Sequence, residues 1–341
     1  MQKKKFFEKF APTILKIYHR DKEAFWAAAM APFLAGNVPL SDRWGQLKIG
    51  LGLMNAFKGL DDDARETLRE FSASFGLDVT GWESNRVQYF KDAAPIFAFL
   101  AVWMDEEHLD DYLAAFGDIL RAGVFAVAGY GILDANVDSN APSPVEILVA
   151  QALIAEYETL ALRIFGVSPV NLEIMHRMRS IFLEAEIKEK SLRGLASPYQ
   201  LENPKDIGAK GANSVAPFML SLERLGKAAL IDDYWEVFLL FGAAIQMIDD
   251  WKDLEGDLAA GHFSYVTLGA ENLLEGDDPN LTARRLRADQ QRVLSTYAVS
   301  KDLIKQSRSI LDQLNDRFLV RLVDVTELRL DTYYRKVLKL G

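Results

Sequence analysis

The sequence predicts an all-α protein folded as a single large helical domain. Three observations carry this. Leu and Ala, both strong helix formers, are abundant, and only 11 prolines interrupt 341 residues. Apolar residues recur at helical spacing in long segments bounded by Pro and Gly. No βαβ pattern, Gly-rich phosphate loop, repeat or composition break marks a second fold class or a second domain. Residues 1–341 are therefore expected to form one all-helical bundle of roughly ten to thirteen helices.

Composition narrows the function classes. Half the residues are apolar, enough for a substantial core. The formal net charge of −10 disfavours nonspecific binding to nucleic acid or an anionic membrane surface. Cysteine is absent, which excludes disulfides and thiolate sites, and the four scattered histidines do not suggest a zinc enzyme. The N-terminus MQKKKFFEKF is basic but lacks a signal-peptide apolar core. Ala24–Gly36 and Gly123–Leu133 are the notable apolar stretches, both shorter than the roughly 20 residues that cross a bilayer. A soluble, cytoplasmic protein is expected.

In chain order, residues 3–34 read as one or two helices, with Pro12 and Pro32 as boundaries. Ser41 caps a helix over Asp42–Phe57. Asp61–Asp63 suits a cap and first turn, where acids meet unpaired N–H groups. A helix over residues 82–104 follows. Glu106, Glu107, Asp110 and Asp111 begin another, which runs through an Ala- and Gly-rich half to Asp138. Its glycines, Gly123, Gly129 and Gly131, cost about 1 kcal/mol each relative to Ala, which close packing or a cavity would offset. Asp134 and Asp138 close this helix one turn apart, and SNAPSP breaks it.

Pro144–Phe165 is a helix ended by Gly166, and the next runs from Pro169 to about Arg193. Gly194–Asp206 is irregular. Ile207–Leu225 reads as a helix kinked at Pro217, with Gly226 at its end. Ile231–Asp257 is an acidic helix. Thr282–Tyr297, Lys301–Leu314 and a helix from about Arg317 complete the chain.

The chemistry concentrates in Phe241–Tyr265, FGAAIQMIDDWKDLEGDLAAGHFSY. An apolar helix carries one amide, Gln246, and then becomes a column of acids. Asp249, Asp253 and Asp257 recur every fourth residue, so they drift only slowly around one face. Like charges so spaced repel by roughly 0.2–0.5 kcal/mol per exposed pair. A hard divalent cation that takes carboxylate and phosphate oxygens together would compensate. Asp134 and Asp138, emerging from an apolar wall, form a second candidate pair.

Two acidic helix ends 115 positions apart (134 to 249) in an all-α chain resemble the trans-isoprenyl diphosphate synthases and the wider class I terpenoid synthase superfamily. That family has a Gly, two variable residues, Phe-Gln, two variable residues and DDxxD. Here Gly242, Gln246, Asp249, Asp250 and Asp253 match, and Ile245 replaces the Phe. Asp257-Leu258, Gly261-His262 and Ser264-Tyr265 stand where the family carries an acidic-Leu pair, a Gly-Lys and a hydroxyl-aromatic. Lys210, in AKGANS, resembles the family's diphosphate-binding lysine. The resemblance covers roughly residues 125–268. It departs from the pattern in four places. The first motif lacks its doubled aspartate, no arginine pair follows it, the late Lys is His262, and no Gly-Lys-x-x-Arg cradle for isopentenyl diphosphate appears. Arg43 and Lys48 are the nearest basic candidates in that region.

The resemblance implies an isoprenoid-synthase-like bundle with a central cavity that ionises an allylic prenyl diphosphate of C10–C20 or longer. Mg²⁺, three ions with bound diphosphate, would sit between Asp134 and Asp138 on one side and Asp249, Asp250, Asp253 and Asp257 on the other. Gln246 would contact a carbonyl, a metal-bound water or a late cation. Lys210, Arg193 and His262 would face the diphosphate, and Phe125, Tyr130, Tyr157, Phe165 and Phe241 would line the apolar pocket. The missing cradle favours a terpene-synthase-like reaction. The alternatives are a divergent prenyltransferase, elongating a chain or using an unusual acceptor, and a catalytically degraded regulatory subunit. The resemblance leaves a homodimer and transient membrane contact open.

Overall fold

The computed structural model describes residues 69–70, 73–74, 116–138, 141–192, 199–200, 202–269 and 278–340. The helices expected over 3–34, 42–57 and 82–104, the acids at 61–63 and 106–111, and Arg43, Lys48 and Arg193 lie outside them. The described residues contain helices, turns and irregular segments and no strand, as the composition requires. The chain divides into two compact units, Met1–Asn171 and Leu172–Gly341.

In the first unit, α1 (Phe116–Asp138) and α2 (Pro144–Phe165) form an antiparallel hairpin. Gly129 makes the close approach. A Cβ there would stand 2.7 Å from Ile154 Cγ1 and 3.0 Å from the Ala150 carbonyl oxygen, so packing offsets this helical glycine. Gly131 meets nothing and is exposed, so packing does not account for it. Ser143 caps α2 by accepting from the Glu146 N–H at 3.3 Å, with Pro144 in the first turn, and Gly166 ends it at φ 93°. The observed limits match those read from the sequence because every signal is local.

Asn136 ties the turn between these helices. Its Nδ2 donates to the Ile132 carbonyl at 2.9 Å and to Glu146 Oε2 at 2.7 Å, while its Oδ1 accepts from the Ser143 N–H at 2.7 Å. It is buried, and these bonds hold the chain immediately after Asp134.

The second unit is organised around α5 (Ile231–Ala260). α3 (Pro169–Leu192) enters the unit, and a 3-10 segment, Pro204–Val215, leads into α4 (Ala216–Arg224). After α5 come α6 (Pro279–Ala288), α7 (Gln290–Gln313) and α8 (Arg317–Leu340). α5 packs against the 3-10 segment, α6, α7 and α8. Trp235, Met247, Trp251 and Leu254 of α5 are fully buried, as are Leu303 and Leu311 of α7 and Tyr334 of α8. At the α5–α7 seam, Ser300 donates to Met247 Sδ at 3.2 Å and Ser307 to the Val237 carbonyl at 3.3 Å. Small polar residues there let the helices approach while their hydroxyls stay bonded.

Two sequence expectations are corrected here. Residues 207–225 are not one helix kinked at Pro217. The first half is 3-10, and Pro217 sits in the first turn of α4, where its missing N–H costs nothing. The break near the end falls at Asp289 rather than between Tyr297 and Lys301. Asp289 Oδ1 accepts from the Arg292 N–H at 3.1 Å and so caps α7, a signal the apolar spacing does not contain.

Candidate functional site

α5 builds the site. About 100° per residue places Gln246, Asp249, Asp250, Asp253 and Asp257 within a stripe roughly 100° wide. Gly261 adopts the left-handed conformation at φ 74° and ends the helix, with the His262 N–H on the Asp257 carbonyl at 2.8 Å. His262 thus follows the acids across a tight cap. Arg292 then holds the emerging loop, donating to the Val266 carbonyl at 3.1 Å and the Leu268 carbonyl at 2.6 Å.

The stripe has two flanks. On one, Asp249 pairs with Lys252 at 2.5 Å, and the Lys252 Nζ stands 6.0 Å from the ring centre of Tyr333 in α8. Burial pushes the Tyr333 phenol up to about 12, opposed by Arg287 and reinforced by the Asp249 and Asp253 carboxylates. Arg287 of α6 is anchored to Glu255 at 2.6 Å and to the Trp251 carbonyl at 3.0 Å. Asp253 is exposed. Tyr333 and Arg287 were not expected from the sequence, since both lie far along the chain on helices without a motif.

On the other flank, Gln246 Nε2 donates to Asp250 Oδ1 at 3.2 Å. Asp250 is 6% exposed, and its Oδ2 has no hydrogen-bond partner among the described residues. Burial pushes its carboxyl up to about 7. The Gln246 hydrogen bond opposes this, Asp257 and Glu189 add to it, and Lys210 subtracts. Lys210 reaches this flank from the 3-10 segment. Its Nζ lies 3.1 Å from Glu189 Oε2 and 3.6 Å from Glu186 Oε1, both on α3. Tyr199 donates to Glu189 Oε2 at 3.2 Å. Burial raises the Tyr199 phenol well above its ordinary value, and Glu189 adds to the shift.

Lys210 therefore lies near Asp250 of the acid stripe, in the company of two glutamates that the motif reading did not single out. Their signal in the sequence was the i, i+3 spacing of acids at 186 and 189 on an otherwise apolar helix face.

Asp134 and Asp138 close α1 in the first unit. Asp134 is half-buried, and the Asp138 side chain lies outside the described residues. Phe125, Tyr130, Tyr157 and Phe165 are buried in the first unit, and Phe241 is half-buried on α5.

Among the described residues no three His, Cys, Asp or Glu side chains converge to hold a metal by themselves. Mg²⁺ does not need such a cage, because it is bound through one or two carboxylates together with substrate phosphates. The α5 donors are all oxygen, and the unpartnered Asp250 Oδ2 is a buried acceptor of the right kind. The residues present fit a hard cation that arrives with phosphate.

No family model and no curated protein sequence match the chain. Solved structures do. FPPS from T. brucei in a small-molecule complex aligns with a TM-score of 0.53 and 16% identity, over 83% of this chain and 99% of that one. T. brucei farnesyl diphosphate synthase complexed with the bisphosphonate BPH-722 aligns with a TM-score of 0.53 and 15% identity, over 83% of this chain and 98% of that one. At such identity the likeness is one of fold, and the chain has the all-α isoprenoid synthase fold of these proteins.

Proposed function

We propose that the protein uses an allylic prenyl diphosphate of C10–C20 or longer and ionises it in a terpene-synthase-like reaction, cyclisation or elimination with release of diphosphate. The observation that carries this is the α5 stripe, with Lys210 at the edge of a row of carboxylates led by Gln246. The fold shared with farnesyl diphosphate synthase supports the use of a prenyl diphosphate.

Asp249, Asp253 and Asp257, with Asp250 behind them, are the α5 residues that would hold Mg²⁺, and Asp134 and Asp138 at the end of α1 are the other candidate ligands. When bound, Mg²⁺ neutralises the charge that builds on the diphosphate as the C–O bond breaks. Lys210 contributes a fixed positive charge toward the leaving group, with Arg193 and His262 as further contacts. Gln246 orients Asp250 through its amide N–H. Phe125, Tyr130, Tyr157 and Phe165 in the first unit, and Phe241 on α5, are the apolar residues proposed to shield the cation from water. The proposed enzyme is cytoplasmic; no helix among the described residues is long and apolar enough to cross a membrane. A homodimer fits the same reading.

A second reading is a divergent prenyltransferase, favoured by the fact that the structural neighbours are farnesyl diphosphate synthases. One experiment separates the two. The protein is incubated with C10, C15 and C20 allylic diphosphates and Mg²⁺, with and without radiolabelled isopentenyl diphosphate. Hydrocarbon or alcohol without label uptake is the expected result. Efficient incorporation into a longer acid-labile product installs the second reading, and no diphosphate release under any condition overturns both.

A further inference from the structure

The lysine at the edge of the stripe is already engaged. Its partners Glu186 and Glu189 lie one turn apart on α3, and Glu186 is only 2% exposed, against 19% for both Glu189 and Lys210. Tyr199 donates to the same Glu189 oxygen that Lys210 contacts. Asp250, with its unpartnered Oδ2, is close enough for its charge to be felt at Tyr199 together with those of Glu189 and Lys210. The Lys210 ammonium thus contacts two glutamates and lies near an aspartate.

The position of Lys210 does not depend on these acids alone. Gly208 seats the 3-10 segment against α5, and Lys205 reaches Glu236 at 3.1 Å while Asp206 reaches Lys188 at 3.8 Å. The backbone that carries Lys210 is therefore seated by contacts other than these carboxylates. The effect of Glu186 and Glu189 is on what can approach the lysine. A diphosphate without counter-ions that reaches this ammonium also meets the Glu186 and Glu189 carboxylates beside it. In a partly buried site that repulsion is weakly screened. A diphosphate that arrives with a divalent cation presents little net charge, and the same carboxylates then attract part of it.

We propose that Glu186 and Glu189 are specificity-determining residues that reserve Lys210 for cation-accompanied diphosphate and turn away the metal-free anion. The inference rests on the proposed function, since it assumes that Lys210 faces diphosphate. It assigns to α3 a part in substrate selection that the acidic motifs do not contain, and it makes loading with the divalent cation a condition for tight binding.

The test measures binding of inorganic pyrophosphate to the full chain by calorimetry, once with EDTA and once with excess Mg²⁺. Glu189, the less buried of the two, is the one to change. Wild type is expected to bind pyrophosphate with Mg²⁺ and only weakly with EDTA. Glu189→Gln is expected to tighten the metal-free binding about fivefold and to change the Mg²⁺-loaded binding less than about twofold. Tyr199→Phe, which removes a hydrogen bond but no charge, is expected to leave both within about twofold. Circular dichroism confirms that each variant is folded. Metal-free affinity that is unchanged or weaker in Glu189→Gln overturns the inference alone, as does an equal gain in Tyr199→Phe. If wild type binds pyrophosphate in neither state, or Lys210→Ala binds it as wild type does, the assignment of Lys210 falls and takes this inference with it.

Discussion

Gly208 rests against the main chain of α5 at Leu239. A Cβ on Gly208 would stand 2.0 Å from the Leu239 carbonyl oxygen and 2.8 Å from its carbonyl carbon. Backbone cannot swing aside as a side-chain tip can, so Gly208→Ala must push the 3-10 segment off α5. The expected cost is about 1–3 kcal/mol, the usual range for overpacking, read as a lower urea midpoint. Gly242, on α5 opposite Gly208, is a built-in contrast. Its Cβ would meet nothing closer than 3.4 Å. Gly242→Ala is expected to be neutral, or stabilising by up to about 1 kcal/mol through helix propensity. Equal losses in both variants would show that the close approach is not where the structure has it.

Asp250 makes stability depend on pH. Its folded-state carboxyl titrates at about 7, against 3.8 for the ordinary group. Between those values the unfolded chain has released the proton that the native state keeps. Stability therefore falls as pH rises from about 4 to about 7 and is level above that. The total change is on the order of 2–4 kcal/mol. Urea midpoints measured from pH 4 to 8, without divalent cations, should show this decline in wild type relative to Asp250→Asn, which lacks the titrating group. Parallel curves for the two proteins would sink the assignment of a buried, protonated Asp250.

Asp249 is expected to matter for chemistry and little for folding. Its partner is Lys252, and both side chains are 40% exposed. An exposed pair of this kind contributes less than about 1 kcal/mol. Asp249→Asn should keep the wild-type helix content and urea midpoint while Mg²⁺-dependent diphosphate release from an allylic substrate is abolished. Release at the wild-type rate would remove this carboxylate from the proposed site.

Asn136 is the structural support of the first acidic pair. Each of its three hydrogen bonds ends on a group in or beside the α1–α2 turn, and the side chain is buried. Asn136→Ala leaves the Ser143 N–H and Glu146 without this partner. The expected loss is about 1–3 kcal/mol, with faster amide exchange at Ser143. Asn136→Asp keeps the acceptor but loses the donor to Ile132 and sets a charge beside Glu146, so it should not restore stability. Full stability in either variant would contradict the bonding described.

Much of the helical skeleton is legible locally. Ser143, Pro144 and Gly166 bracket α2 because cap, first turn and stop act over a few residues. The acid stripe of α5 is equally local, since helical spacing alone puts 249, 253 and 257 on one side. Where the chain departs from the sequence reading, a contact between distant segments or an unrecognised cap is responsible. Residues 204–215 are held as 3-10 against α5, and Asp289 starts a helix where apolar spacing runs on.

Sequence by itself determined the all-α class, the helices α2, α3, α5 and α8 and the order of acids along α5, because each is written in periodicity and capping within a turn or two. Tertiary structure alone decided that Lys210 shares its charge with Glu186 and Glu189, that Asp250 is buried, and that Tyr333 and Arg287 come to the other flank. These groups stand between 21 and 84 positions from their partners (189 to 210 and 249 to 333). Coulomb interactions and burial depend on distance in space and on excluded water, and no local pattern in a chain encodes either.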